Sequence, residues 1–312
     1  MEILKNKKLM KVILILIIII ALALIGIFIL ERIHVSFHEK DRTSLKLDTI
    51  ELADDGTGHV VYDGVNHDII MSFPETLDGA PLVLMLHGYG ESSAAFRQKV
   101  SFELDANPLG YVVVYVTGAP SPEDATSSVG WNSGVGISSN KDVDFLCALA
   151  NDLCDIYSLD SSRVFAVGYS NGAFMSHRLA VEADDIFTAI VSVAGMMPES
   201  IWANKPEKCN IGILQITGEK DDVIPKNYDG SANFSKAPAI EDVMKYYIEM
   251  NSASLSDTVK IGKKATLEKY ISSDLNKQIW NIFIPDGRHS WPDESIVGFS
   301  TNQVILEFLE TE

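Results

Sequence analysis

Short apolar runs alternate with amphipathic stretches along most of the chain, as in α/β proteins. Strand-like runs occupy His59–Tyr62, His67–Phe73, Pro81–Leu86, Tyr111–Val116, Val164–Val167, Ala189–Val193, Ile211–Ile216 and Gln278–Ile284. Helical spacing occurs at Asp142–Tyr157, Gly172–Ala183, Ala239–Met250 and Thr301–Leu309. Continuous Val/Ile/Leu runs are typical of strands buried on both faces of a sheet. We therefore predict one α/β domain, residues 56–312, with an opening hairpin, a mostly parallel sheet and helices on both faces.

The N-terminal region has a different pattern. Val12–Leu30 is an unbroken apolar run of 19 residues, preceded by four lysines. It would form a helix of about 28 Å, close to the thickness of the bilayer core, and its only Ala-x-Ala lies inside the run rather than after it. We predict a cytoplasmic basic segment at 1–11, a transmembrane signal anchor at 12–30 and a polar stalk at 31–55. The positive-inside rule then places the domain on the outer face of the cell membrane, or secreted if the anchor is cleaved.

Charge and cysteine content limit the partners, metal sites and disulfides that we expect. The net charge of -18 argues against nucleic acid as a partner, because an acidic surface repels phosphates. With no Cys-x-x-Cys and no His-rich tract, we expect neither a metal nor a cofactor. Three cysteines, Cys147, Cys154 and Cys209, leave at least one outside any intrachain disulfide, and pairing of Cys154 with Cys209 stays open.

The pentapeptide Gly168-Tyr169-Ser170-Asn171-Gly172 fits the pattern Gly-x-Ser-x-Gly. A strand runs directly into it and a helix leaves it, which is the context of a nucleophile elbow. The turn is tight and needs small residues beside the serine, and the helix N-terminus favours negative charge there. We therefore predict Ser170 as a nucleophile; the alternative is a serine that only caps the helix.

A serine hydroxyl needs a base, and elbows of this kind take their partners in the order serine, acid, histidine. Of the seven histidines only His177 and His289 follow Ser170. His177 lies two turns along the same helix and cannot reach back to the serine, so His289, in the loop after the last buried strand, is the predicted base. The acid is expected after Ile211–Ile216, where spacing leaves Asp221 and Asp222 equally open.

Backbone N–H groups are expected to bind the oxyanion. One should belong to Asn171, directly after the nucleophile, and the other to Tyr89, in the glycine-containing loop after Pro81–Leu86. His87, in the same loop, is expected to be a structural hydrogen-bonding residue because it precedes the serine in the chain.

Several motifs in this order resemble the polyhydroxybutyrate depolymerase and feruloyl esterase group of α/β-hydrolases, which includes acetyl xylan esterases. The similarity extends from about Gly58 to Pro292. It rests on LHGYGES at Leu86–Ser92, GWNSG at Gly130–Gly134, DVDFL at Asp142–Leu146, RVFAVGYSNGAFMSHRLA at Arg163–Ala180, DDVIP at Asp221–Pro225 and HSWP at His289–Pro292. The resemblance implies an α/β-hydrolase fold and ester hydrolysis, with Ser170 as nucleophile, His289 as base and Asp221 as acid.

The chain departs from that group before the acid, where Thr217-Gly218-Glu219-Lys220-Asp221 replaces the usual His-Gly-Thr-Ala-Asp. It also carries no recognisable carbohydrate-binding module, which favours soluble or oligomeric esters, free or polysaccharide-linked. Trp131, Asn132 and Trp291 are candidates for the substrate pocket. The fifty residues between Ser170 and Asp221 leave no room for a cap domain, so we expect an open site.

The expected function is therefore hydrolysis of a carboxylic ester of the feruloyl, acetyl-xylan or short hydroxyalkanoate type, through an acyl-enzyme. A peptidase of the same fold is one alternative, since identical triads cleave amides. A catalytically inactive hydrolase domain that serves as a tethered binding module is another.

Overall fold

The computed structural model describes residues 41–120, 128–226, 237–272 and 277–312. The strands of these residues form one continuous β-sheet. Its strands are β1 Thr49–Leu52, β2 Thr57–Tyr62, β3 Val65–Ser72, β4 Leu82–Leu86, β5 Val112–Val116, β6 Val164–Tyr169, β7 Ala189–Val193, β8 Gly212–Gly218, β9 Ala253–Ile261, β10 Ala265–Ser272 and β11 Gln278–Ile284. The helices are α1 Ser93–Val100, α2 Glu103–Ala106, α3 Asp142–Tyr157, α4 Asn171–Glu182, α5 Glu199–Ala203, α6 Ile240–Met250, α7 Glu294–Val297 and α8 Thr301–Leu309.

The sheet is mixed. Its strand order is β1-β2-β3-β5-β4-β6-β7-β8-β11-β10-β9. The central strands, from β5 to β11 in that order, are all parallel, whereas β1–β3 at one side and β9–β10 at the other pair antiparallel. Because the carboxyl ends of parallel strands meet at one edge of a sheet, the loops after β4, β6, β8 and β11 converge there.

Alternate residues of the central strands enter two separate hydrophobic cores. In β4, Leu82, Leu84 and Leu86 pack on one face, together with apolar residues of α3, α4 and α6. Val83 and Met85 pack on the opposite face, together with apolar residues of α1 and α8. The central strands are therefore buried on both faces, as their unbroken apolar sequences predict.

The predicted strands and the four predicted helices are present, with small shifts at their ends. The prediction of a mostly parallel sheet holds for the centre only, because β1, β9 and β10 were not predicted. The residues of β9, Ala253–Ile261, are largely exposed and many are polar, which is possible because β9 lies at the edge of the sheet. A strand of this kind lacks the apolar run by which the buried strands are found.

The compact unit that contains the sheet begins at Arg42, earlier than the predicted domain start at residue 56. Arg42 is buried, and its carbonyl accepts a hydrogen bond from Asn151 Nδ2 at 2.8 Å. The N–H of Leu47 donates to Asp152 Oδ2 at 2.7 Å, and β1 then adds to the sheet beside β2. Residues 42–55, predicted as part of a stalk, are thus held against helix α3 and the sheet. The prediction missed this because a polar segment held by backbone hydrogen bonds has no apolar pattern.

Among the described residues no helix combines the length and apolar character needed to cross a bilayer. The predicted anchor, Val12–Leu30, lies outside the described residues, as does nearly all of the stalk predicted before Arg42. Cys154 and Cys209 are both buried and are not joined by a disulfide. Cys209 instead donates a hydrogen bond from Sγ to the Ala180 carbonyl at 3.3 Å.

Candidate active site

Ser170 lies in a strained turn between β6 and α4. Its backbone has φ 52° and ψ −117°, a region that residues with a side chain seldom occupy, at a cost of about 1–3 kcal/mol. Two backbone hydrogen bonds hold the turn: Ser170 N–H donates to the Val193 carbonyl at 3.0 Å, and Phe174 N–H donates to the Ser170 carbonyl at 3.1 Å. Ser170 is partly exposed in this turn.

The glycines on either side are there because no side chain fits. A Cβ on Gly168 would lie 2.1 Å from the Gly172 carbonyl oxygen, and one on Gly172 would lie 2.0 Å from the Leu86 carbonyl oxygen. Both distances are far below van der Waals contact. The two glycines thus let helix α4 begin directly against the end of β4, beside the His87–Gly90 loop.

The loops after β6, β8 and β11 bring together Ser170, Asp221 and His289. His289 Nε2 lies 2.9 Å from Ser170 Oγ, and His289 Nδ1 lies 2.9 Å from Asp221 Oδ2. A carboxylate can only accept, so the imidazole donates from Nδ1 and leaves Nε2 as an acceptor for the serine hydroxyl. The imidazole is therefore in the tautomer that a general base requires.

Asp221, rather than Asp222, faces the imidazole. Its side chain is 1% exposed, and its second oxygen, Oδ1, accepts the N–H groups of Val223 at 2.9 Å and Ile224 at 2.7 Å. These donors offset the cost of burying the carboxylate. Asp222 is exposed. The geometry therefore distinguishes between the two neighbours that spacing had left open.

The two other histidines near the elbow, His87 and His177, are buried and form hydrogen bonds within the fold. His87 is fully buried: its Nδ1 donates to the Gly88 carbonyl at 2.6 Å, and its Nε2 accepts the Gly118 N–H at 2.8 Å. Burial lowers the pKa of His87 and keeps it neutral. His177 lies in the core between Tyr247 and Gln215, and burial lowers its pKa to about 4.

The two residues predicted to bind the oxyanion lie on adjoining segments, one at the start of a helix and the other in a loop. Asn171 is the first residue of α4, and Tyr89 lies in the loop after β4 with 47% of its surface exposed. A Cβ on Gly130 would be 3.0 Å from Tyr89 Cδ2 and 3.2 Å from Asn171 Oδ1. The side chains of the two residues thus lie beside the same glycine.

The three pocket candidates lie in different environments. Trp131 is fully buried, and its indole donates from Nε1 to the His87 carbonyl at 2.9 Å, so it does not form an accessible wall as predicted. Asn132 is half-buried and bound to backbone through its side chain. Trp291 borders open space: it lies between a cleft of about 550 Å³, which also touches His289, and a more apolar cavity of about 540 Å³.

Tyr169 and Ser133 also belong to the site, although their roles were not anticipated. Tyr169 packs its ring 5.5 Å from that of His289 and donates its hydroxyl to the His289 carbonyl at 3.3 Å. Burial raises the pKa of Tyr169 to about 12, so this hydroxyl remains a donor. Ser133 Oγ accepts a hydrogen bond from Asn171 Nδ2 at 2.9 Å. Their positions inside the GYSNG and GWNSG motifs were the available signal.

Comparison with known proteins finds similarity to esterases. A family model described as phospholipase/carboxylesterase matches residues 74–264, more than half of the chain. The chain is 26% identical over 248 residues to NocK of Nocardia uniformis subsp. tsuyamanensis, which is named as an esterase; the match covers 70% of this chain and 67% of that protein. It is 26% identical over 174 residues to the bifunctional acetylxylan esterase/xylanase XynS20E of Neocallimastix patriciarum, covering 55% of this chain and 24% of that protein.

Among solved structures, acetyl xylan esterase from Aspergillus awamori superposes with a TM-score of 0.59 at 14% identity, covering 85% of this chain and 100% of that chain. Likeness at this identity concerns the fold. The fold is that of the α/β-hydrolases, built here on a mixed sheet, so the predicted fold class is confirmed in that respect.

The close approach at Gly172 predicts a large loss of stability on Gly172→Ala. The new Cβ would overlap the Leu86 carbonyl oxygen, so helix α4 must move, and we expect the free energy of unfolding to fall by about 3 kcal/mol. The measurement is urea unfolding of the full-length protein in mild detergent. Gly79→Ala is the control: a Cβ there meets no atom within 4 Å, and only its positive φ opposes the change, by about 1 kcal/mol. Equal losses in the two variants would contradict the steric argument.

Proposed function

The chain belongs to the phospholipase/carboxylesterase family and is a carboxylic ester hydrolase, and from that premise we propose that it is a serine esterase whose nucleophile, base and acid are Ser170, His289 and Asp221. The observation that carries the proposal is the position of the His289 imidazole. One ring nitrogen lies 2.9 Å from the serine hydroxyl and the other lies 2.9 Å from the buried carboxylate.

In the proposed reaction, Ser170 Oγ attacks the ester carbonyl carbon while its proton passes to His289 Nε2. The tetrahedral intermediate collapses, the C–O bond to the alcohol breaks, and the imidazolium returns the proton to the leaving alcohol. Water then attacks the acyl-enzyme with His289 again as base, releasing the carboxylic acid and restoring the serine. Asp221 stabilises the imidazolium in both halves through its bond to Nδ1.

The oxyanion of each tetrahedral intermediate would be bound by the backbone N–H groups of Asn171 and Tyr89. A preorganised donor of this kind contributes about 3 kcal/mol to transition-state stabilisation. Support comes from the placement of Asn171 at the N-terminus of α4, where the helix dipole also favours negative charge.

We propose that the substrate is an ester of a short or aromatic acid, carried on a soluble or oligomeric molecule such as an acetylated or feruloylated xylan fragment. The relative that combines acetylxylan esterase and xylanase activity in its name supports this class. Trp291 supports it as well, since a half-buried indole beside His289 offers a flat apolar surface to a sugar or phenyl ring.

Ser170→Ala is expected to lower kcat at least about 10⁴-fold, because the remaining groups cannot form an acyl-enzyme. The measurement is initial rates on p-nitrophenyl acetate, methyl ferulate and acetylated xylan oligomers, with fluorophosphonate labelling as a second readout. Ser162→Ala, which alters an exposed serine bonded to Asp160, should retain the rate and the label. Retention of wild-type turnover by Ser170→Ala would refute the nucleophile assignment.

The two neighbouring aspartates should differ sharply. Asp221→Asn replaces an acceptor of the Nδ1 proton by an amide that can reverse the tautomer, so we expect kcat to fall about 10³- to 10⁴-fold. Asp222→Asn changes the exposed carboxylate of the next residue and should leave kcat within about twofold. Both rates are compared at the same pH on p-nitrophenyl acetate. A larger loss from Asp222→Asn would show that the acid is misassigned.

We also propose that Val12–Leu30 anchors the enzyme in the cell membrane with its catalytic domain outside the cytoplasm. The proposal rests on the sequence: 19 apolar residues preceded by four lysines. The full-length protein should stay in the membrane pellet after alkaline carbonate extraction, whereas a variant lacking residues 1–30 should enter the soluble fraction with its esterase activity. Recovery of the full-length protein in the carbonate supernatant would exclude an anchor.

A further inference from the structure

Asp142, the first residue of helix α3, is a buried carboxylate outside the triad. It is 1% exposed, and its Oδ2 accepts the N–H of Asn132 at 2.6 Å. Its Oδ1 has no hydrogen-bond partner within the described part of the chain. Burial raises the pKa of Asp142 to about 6, against the opposing effects of the Asn132 N–H and of the Arg178 charge. Burying a carboxylate with one oxygen that lacks a hydrogen-bond partner costs free energy. The groups that Asp142 does bind therefore indicate what its burial achieves.

The peptide of Asn132 is held from two sides. Asp142 accepts its N–H, and Arg178 Nη1, on helix α4, donates to its carbonyl oxygen at 2.5 Å. The Asn132 side chain donates in addition to the Asn140 carbonyl at 2.7 Å. Arg178 also pairs with Glu182 one turn along its own helix, and it is the charged group that faces Asp142 from α4. The loop at Asn132 is thereby fixed between α3 and α4.

That loop, in turn, holds the residue that follows the nucleophile. Trp131 N–H donates to Asn171 Oδ1 at 2.8 Å, and Asn171 Nδ2 donates to Ser133 Oγ at 2.9 Å. The residues on either side of Asn132 therefore bind both ends of the Asn171 amide. Through its indole, Trp131 also reaches the His87 carbonyl, in the loop that contains Tyr89. The Trp131–Ser133 loop thus contacts both segments proposed to donate to the oxyanion.

We propose that Asp142 is a positioning residue for the oxyanion site: its carboxylate fixes the Asn132 N–H, and through the Trp131–Ser133 loop it fixes the Asn171 side chain and so the Asn171 backbone N–H. This inference rests on the proposed role of Asn171 as an oxyanion donor. Small displacements of such a donor have large effects on rate, because a misplacement of about 1 Å can lower kcat about 100-fold. Asp142 itself touches neither substrate nor the reacting atoms.

A purely structural role is the competing explanation. An acidic residue in the first turn of a helix interacts favourably with the helix dipole, and Asp142 occupies that position in α3. Loss of this interaction would lower the free energy of unfolding and leave kcat unchanged. The effect of an Asn171 substitution on kcat would then be the same with or without Asp142. The two explanations therefore differ in whether the effect of Asp142 depends on Asn171.

The test is a double-mutant cycle on the full-length enzyme, with kcat and KM on p-nitrophenyl acetate. Asp142→Ala should lower kcat about 10- to 100-fold with KM changed less than about threefold. Asp142→Asn retains an oxygen that accepts the Asn132 N–H and should keep kcat within about threefold of wild type. Asn171→Ala, which keeps the backbone N–H but removes the linked side chain, should also lower kcat, and the double variant Asp142→Ala/Asn171→Ala should be no slower than the slower single variant.

Glu103→Ala is the matched control. Glu103 is another buried helix carboxylate, bonded to Arg97 and to the Tyr115 hydroxyl at 2.7 Å each, on the opposite face of the sheet. It should lower Tm and leave kcat unchanged. If Asp142→Ala does not fold, Asp142→Ser takes its place, since a serine is too short to reach the Asn132 N–H.

Multiplicative losses in the double variant, or an unchanged kcat in Asp142→Ala, would overturn the proposal. Either result could occur while Ser170→Ala is inactive, in which case the serine esterase mechanism stands and only the role of Asp142 fails. Activity in Ser170→Ala would instead remove the premise on which Asn171 is assigned.

Discussion

The backbone at Ser170 is the constraint on which the rest of the site depends. Its positive φ is unfavourable for a residue with a side chain, and it persists because β6 and α4 are fixed on either side by the sheet and by close glycine contacts. The same turn places the serine at the carboxyl edge of the sheet and Asn171 at the start of a helix. The proposed nucleophile and the proposed oxyanion donor therefore occupy their positions as consequences of one local geometry.

The surroundings of that turn are made rigid by buried polar groups that bond to backbone. His87 donates to the Gly88 carbonyl and accepts the Gly118 N–H. Its own carbonyl accepts a hydrogen bond from the indole of Trp131. Bonds of this kind fix loops without requiring regular secondary structure, and in a water-excluded interior they hold geometry closely. The second oxygen of Asp221 is bound by the N–H groups of Val223 and Ile224, which lie after the acid and outside the Thr217–Lys220 stretch that departs from the family pattern.

The sequence predicted the centre of the sheet and the convergence of Ser170 with His289, because buried strands carry unbroken apolar runs and the chain order leaves one usable histidine. Spacing alone could not distinguish Asp221 from Asp222, since it does not say which neighbour points inward, and only the family resemblance implied Asp221. The prediction placed Trp131 in the pocket because an aromatic residue in a glycine-rich loop has the same signature whether its ring faces solvent or the core. The edge strand β9 and the segment after Arg42 were missed because polar sequence held by backbone hydrogen bonds has no periodic signal.

The two cysteines Cys154 and Cys209 are buried in the core as free thiols. Burial raises the pKa of Cys154 to about 11 and that of Cys209 well above its usual range, which suppresses the thiolate that reacts with oxidants and disulfides. The domain therefore owes none of its stability to a covalent link between these two residues. Its fold should be indifferent to the redox potential on either side of a membrane, so the same polypeptide can mature under reducing or oxidising conditions without isomerase-dependent pairing of this couple.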